Sequence, residues 1–291
     1  MPKSPVPGRL GGYLLLLHPG PSLVCTAVTA TAGWAAARHA GRDRSGTAAA
    51  IGRASAAMFL AQVSTGILND AVDAPWDRRL QPYKPIAAGL VPRGHAWMLA
   101  GATAVGALAS SRGRPALLRL TGVGLASGWA YSLGLSRTPL SFLPFATGLA
   151  TVPRTGPAAL GLAAPRPAAL TGLAAALAVA LHLANGAPDV ALDRRAGRRS
   201  LPVLLGRERS LAWSRRLLGA AALAAAADSP RGGRALGWGG AAGCLALLWV
   251  DRAWGRGARE AGGHPFVLPA LGGGMLAAGW LLGRSRPEIL G

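Results

Sequence analysis

The chain holds only 11 aspartate and glutamate residues, and five of them fall in two short windows. The first window runs Asn69, Asp70, Asp73, Asp77, Arg78, Arg79 and the second Asn185, Asp189, Asp193, Arg194, Arg195. Both follow the pattern N-x3-D-x3-D-R-R. Spacing by four puts Asn69, Asp73 and Asp77 on one face of a continuing helix, and Asn185, Asp189 and Asp193 likewise. Pro75 and Pro188 can bend or end those turns. Stacked carboxylates repel one another, and beside a membrane they are costly unless a cation neutralises them. Hard divalent ions suit such oxygen ligands, and Mg²⁺ usually keeps waters and shares its shell with substrate phosphate. Lysine or arginine beyond the carboxylates would complete a cradle for a diphosphate. A plainer reading pairs Asp77 with Arg78 and Asp193 with Arg194 as solvated helix ends. Two matching motifs in so acid-poor a chain weigh against it.

The windows agree beyond their carboxylates. Lys84-Pro85-Ile86 and Gly89 answer Leu201-Pro202-Val203 and Gly206, and Ala96-Trp97 answers Ala212-Trp213. This is the signature expected of an internal repeat, which in membrane folds often places a site at the repeat interface. The motif-bearing halves span about 12–135 and 138–283 of a single domain covering 1–291.

Positioning these motifs falls to apolar elements. Of 291 residues 51% are hydrophobic and 14% charged, with a mean hydropathy of +0.33; soluble domains carry roughly 25% charge. Apolar runs of about 20 residues, matched to a bilayer's hydrocarbon core, recur along the chain. They predict an all-α polytopic membrane bundle of about nine transmembrane helices, near 12–36, 47–69, 95–111, 115–135, 138–153, 167–187, 210–228, 232–250 and 264–283. The fifth is short and contains proline. His18, Pro19 and Pro21 break the first run, which reads as the start of a span rather than a signal peptide.

The net charge of +20 does not indicate nucleic acid, because the arginines sit in short loops between apolar runs and form no cluster. Lysine occurs only at Lys3 and Lys84. The loops after the second and sixth runs are among the most basic. Four spans between them put both on one side, and the positive-inside rule makes that side cytoplasmic. Cys25 and Cys244 lie inside apolar runs, which argues against a disulfide framework.

At the paired motifs the chain resembles the UbiA superfamily of intramembrane prenyltransferases. That family carries an N-D-x-x-D-x-x-x-D segment after its second helix and D-x-x-x-D after its sixth, and both are present here in order. The resemblance covers essentially the whole chain. It implies a helical bundle around a central cavity open laterally to lipid. It also implies that Asp70, Asp73, Asp77, Asp189 and Asp193, assisted by Asn69, hold two Mg²⁺ ions on a prenyl diphosphate. Lys84 and Arg198 would contact phosphate, although many members have Arg-Pro where this chain has Lys84-Pro85. Ionisation to an allylic cation would follow, with Asp73, Asp77, Asp189, Asp193 and Lys84 carrying the catalysis.

Aromatic faces can stabilise such a cation. Phe59, Tyr131, Phe142 and Phe145 are candidates, though each also reads as packing. Tyr83 would contact phosphate or sit at the interface. Gln62 and His182 could project into the cavity beneath the metals, where they could orient an acceptor, take its proton, or simply bond a neighbouring helix; Asn185 is counted with the substrate-binding residues. Three functions remain open. Transfer of the prenyl group to a small aromatic acceptor leads. A membrane terpene cyclase needs the same diphosphate site without an acceptor, and a transporter would use the acidic motifs as an ion path.

Overall fold

The computed structural model describes residues 8–164, 167–260 and 267–283. Lys3 and the start of the ninth apolar segment, 264–266, lie outside the described residues. Among these residues the fold is all-helical, without strands. The helices are α1 (Arg9–Leu16), α2 (Pro19–His39), α3 (Arg44–Leu80), α4 (Arg93–Ser110), α5 (Pro115–Leu133), α6 (Phe142–Ala159), α7 (Pro167–Gly186), α8 (Val190–Arg195), α9 (Leu201–Leu205), α10 (Arg207–Ala227), α11 (Arg234–Glu260) and α12 (Val267–Gly283).

The longer helices coincide with the apolar segments, including the fifth, where α6 forms despite Pro153 and Pro157 within it. Among the described residues, by length and apolarity alone two helices can cross a bilayer, Arg44–Arg79 and Ala168–Gly186, or three if the bent pair α1–α2 counts as one span. The remaining segments are rich in alanine and glycine and several carry arginines, which lowers their hydropathy below that of leucine-rich spans. Their tally as spans therefore stays short of the expected nine on this criterion.

Neighbours in sequence pack on one another, and α2 contacts α3, α6 and α12, which closes the bundle. Thr29 on α2 donates from Oγ1 to the Val152 carbonyl of α6 at 3.0 Å, holding those helices close. One core joins Leu170, Leu177, Leu218, Leu276 and Trp280, and a second joins Leu16, Val63, Ile67, Leu68 and Val91. A cavity of about 530 Å³ opens beside the first core, walled by Val28, Leu149, Leu173, Leu177 and Leu271, with Gln62 and Asn185 at its polar points. Cys25 and Cys244 are free thiols.

Candidate functional site

The first motif is helical throughout, because α3 continues through Pro75 to Leu80. Proline has no N–H for the carbonyl four residues back. That carbonyl, of Ala71, accepts instead from Arg93 Nε at 2.7 Å. The helix survives its proline because a side chain from α4 satisfies the freed group. Asn69, Asp73 and Asp77 thus keep the helical spacing expected of one face, with Asp70 beside them.

Beyond α3 the chain doubles back through backbone bonds from Lys84 N–H to Gln81 and from Ala88 N–H to Lys84. This return brings the Lys84 ammonium to 3.0 Å from Asp77 Oδ2 and 3.4 Å from Asp70 Oδ1. Burial disfavours the charged lysine, but Asp70 and Asp77 outweigh it and raise the ammonium above its ordinary pKa. Lys84 is therefore a fixed cation between two carboxylates.

The second motif departs from the expected helical face. α7 stops at Gly186, Asp189 caps the short α8, and Asp193 lies within α8. Pro188 cannot supply the N–H needed to carry the helix across, so the chain turns there, with Asp189 N–H bonding the Gly186 carbonyl. A loop after α8 then returns Arg198, whose N–H donates to the Asp193 carbonyl at 2.9 Å. Burial pushes the Asp193 carboxyl up, and the Arg198 charge opposes that shift without cancelling it.

Arg198 joins the two motifs. One guanidinium nitrogen lies 3.2 Å from Asp193 Oδ1 and the other 3.3 Å from Asp73 Oδ1, and the group lies over the Trp76 ring at 5.9 Å. Arg137, in the connection between α5 and α6, approaches the same Asp73 oxygen at 3.4 Å. The ends of α3 and α8 consequently meet at one end of the bundle, and four helices separate them along the chain.

The structure distributes the other sequence candidates unevenly. Gln62 lies in the wall shared by the large cavity and a smaller one of about 120 Å³, and Asn185 borders the large one. Asn69 sits half-buried on α3 beside the carboxylates. His182 is buried, with Nε2 2.9 Å from Ser141 Oγ, and Ser141 also accepts the Leu201 N–H of α9. Its ring packs with Phe145 and Tyr131, at centroid distances of 5.1 and 5.9 Å. Tyr83 is not drawn into the cluster: it is 75% exposed and its hydroxyl donates to Gln81.

Three contributors escaped the sequence reading: His18, Arg137 and Ser141. His18 Nε2 lies 2.9 Å from Asp70 Oδ2, although in sequence it reads only as a break in an apolar run. Arg137 looks like any loop arginine. Ser141 carries no motif, and its only sequence signal is its place ahead of a proline-rich helix.

Among the described residues no three Asp, Glu, His or Cys side chains converge closely enough to cage a metal unaided. The donors are carboxylates, and Asp70 Oδ1 is buried without a hydrogen bond, its 3.4 Å approach to Lys84 being an ion-pair contact only. Such a set suits Mg²⁺ held by a few carboxylates with its shell completed by water and phosphate.

The model of the UbiA prenyltransferase family matches residues 22–271. No curated protein matches the chain. Among solved structures, a UbiA homolog from Aeropyrum pernix K1 is similar at a TM-score of 0.68 and 21% identity, covering 87% of this chain and 96% of that one. A UbiA homolog from Archaeoglobus fulgidus, bound to GPP and Mg²⁺, is similar at 0.66 and 18% identity, covering 94% and 98%. A digeranylgeranylglyceryl phosphate synthase is similar at 0.68 and 14% identity, covering 95% and 98%.

Proposed function

The chain belongs to the UbiA prenyltransferase family, and from that premise we propose that it ionises an allylic prenyl diphosphate within the membrane and transfers the prenyl group to a small aromatic acceptor. The observation that carries this reading is the bridge from Asp73 through Arg198 to Asp193, which makes two distant motifs one polyanion-handling centre. The similar structure with GPP and Mg²⁺ bound supports a diphosphate as the ligand.

Asp70, Asp73, Asp77, Asp189 and Asp193, with Asn69, would hold two Mg²⁺ ions. When bound, Mg²⁺ supplies Lewis-acid stabilisation of the departing diphosphate. Lys84 and Arg198 supply the positive charge the protein itself brings to the phosphate oxygens, fixed in place before substrate arrives. Arg198 is suited to this by its planar fork, which matches phosphate as it matches two carboxylates. The apolar cavity of about 530 Å³ beneath Asn185 takes the prenyl chain and keeps water from the allylic cation. Phe145 and Tyr131, 5.2 Å apart edge to face, present aromatic surface to that cation.

The acceptor reading rests on the smaller cavity. It shares Gln62, Phe145 and Leu149 with the larger one and is also lined by Tyr131 and Thr121. Its volume of about 120 Å³ approaches that of a cavity able to hold one benzene ring. A terpene cyclase would need no such second compartment. The internal repeat, the nine spans and a cytoplasmic motif face complete the proposal, the last supported by the basic residues that follow both motifs. An ion path is disfavoured, because Lys84, Arg137 and Arg198 occupy the carboxylates such a path would use.

Product analysis tests the choice. Purified protein in lipid, given geranylgeranyl diphosphate and Mg²⁺, should form a prenylated product only when a hydroxylated benzoate or similar aromatic is added. Cyclised hydrocarbon formed without any acceptor would overturn the transferase reading in favour of the cyclase.

A further inference from the structure

His18 lies where α1 and α2 break apart at 40°. Among the described residues it is the only non-glycine with a positive φ, at 45°. Bulky residues avoid this left-handed conformation, and holding one there costs about 1–3 kcal/mol. The surroundings enforce it. Pro19 opens α2, and Ser22 N–H bonds the His18 carbonyl while its hydroxyl bonds that of Leu17. Across the gap stands Gly66 of α3, where a Cβ would come within 2.5 Å of His18 Cδ2. The helix break and the missing side chain together aim one imidazole at α3, and it meets Asp70 Oδ2 at 2.9 Å.

Asp70 is only 4% exposed, so each of its oxygens must be accounted for. The imidazole takes Oδ2, while Oδ1 makes no hydrogen bond and faces Lys84. We propose that His18 is a positioning residue: its ring N–H locks the Asp70 carboxylate so that Oδ1 alone is presented to the divalent ion. This rests on the proposed diphosphate function and assigns a role to the α1–α2 break, which none of the aspartate motifs contains. A hydrogen-bonded partner that orients a metal-binding carboxylate typically alters metal affinity by about 10–100-fold when removed. It touches neither substrate nor ion.

The test measures Mn²⁺ binding by electron paramagnetic resonance, with protein in nanodiscs and geranyl diphosphate present. His18→Ala should weaken Mn²⁺ binding about tenfold and raise the Mg²⁺ concentration for half-maximal pyrophosphate release by a similar factor. kcat at saturating Mg²⁺ should stay close to wild type. His18→Gln, which keeps a side-chain N–H, should recover most of the affinity, and the thermal midpoint of each variant identifies any loss that is merely structural. Unchanged Mn²⁺ affinity in a folded His18→Ala protein would overturn the role of His18 and leave the proposed function standing. Absence of Mn²⁺ binding in the wild type would overturn both.

Discussion

The two aspartate motifs share a sequence pattern but not a backbone. The first rides one helix straight through a proline, because Arg93 from α4 satisfies the Ala71 carbonyl that Pro75 releases. In the second, Pro188 falls where the chain turns between α7 and α8, and its carboxylates sit on a cap and a short helix. Identical spacing thus gives a row of carboxylates on one continuous helix on one side and a pair split between a turn and a short helix on the other. Downstream the two converge again: Gly89 and Gly206 both adopt left-handed φ, 75° and 82°, a conformation glycine reaches without penalty. The site therefore has one continuous helical wall and one broken wall, with Arg198 spanning the two.

The largest effect should come from the shared carboxylate. Asp73→Asn removes the negative charge that pairs with both Arg137 and Arg198, and we expect about a 10³-fold fall in the rate of pyrophosphate release with the thermal midpoint nearly unchanged. Comparable loss from Arg78→Gln would instead support solvated helix ends as the origin of the motif.

Lys84→Ala is expected to combine lost activity with lost stability. It would leave Asp70 and Asp77 buried without their cation, costing about 3 kcal/mol, visible as a lowered thermal midpoint. A smaller drop is expected of Arg198→Lys. A point charge cannot fork to Asp73 and Asp193 together, so activity should fall about tenfold while folding is retained. Equal activity in that variant would remove the bridge from the account.

The smallest effect tests the continuous wall. Pro75→Ala restores an N–H for Ala71, so Arg93→Ala should cost about 1 kcal/mol in the wild type and distinctly less in the Pro75→Ala background. Thermal denaturation of the four proteins closes that cycle. Additive losses would show that Arg93 does not sustain the helix through its proline.

Much of this site was legible before any coordinates. Asp73 and Asp193 could be picked out from spacing and from the scarcity of acidic residues, whereas Lys84 and Arg198 came only from what the family resemblance implies. Gln62 borders the cavity toward which it was placed, whereas His182, placed there with it, lines neither cavity and is buried against Ser141 instead. Whether Asn185, Asp189 and Asp193 share one helical face was left open by Pro188, because sequence spacing cannot say whether a proline lies inside a helix or ends one; that depends on whether another chain segment covers the freed carbonyl. His18 was hidden for the opposite reason, since its role depends on a missing side chain, that of Gly66, far along the sequence. The spans were legible as helices. Among the described residues, their alanine, glycine and arginine content leaves only two, or three with the bent pair, apolar enough to identify as membrane-crossing by composition.

The central claim is that both motifs serve one diphosphate-handling centre. Pyrophosphate release from geranylgeranyl diphosphate by purified protein in lipid tests it most directly, comparing wild type, Asp73→Asn and Asp193→Asn, each with Mg²⁺ and with EDTA. The account predicts release by the wild type with Mg²⁺ alone and near-complete loss in either single variant. Wild-type release that persists in EDTA, or full activity in one of the two variants, would contradict it.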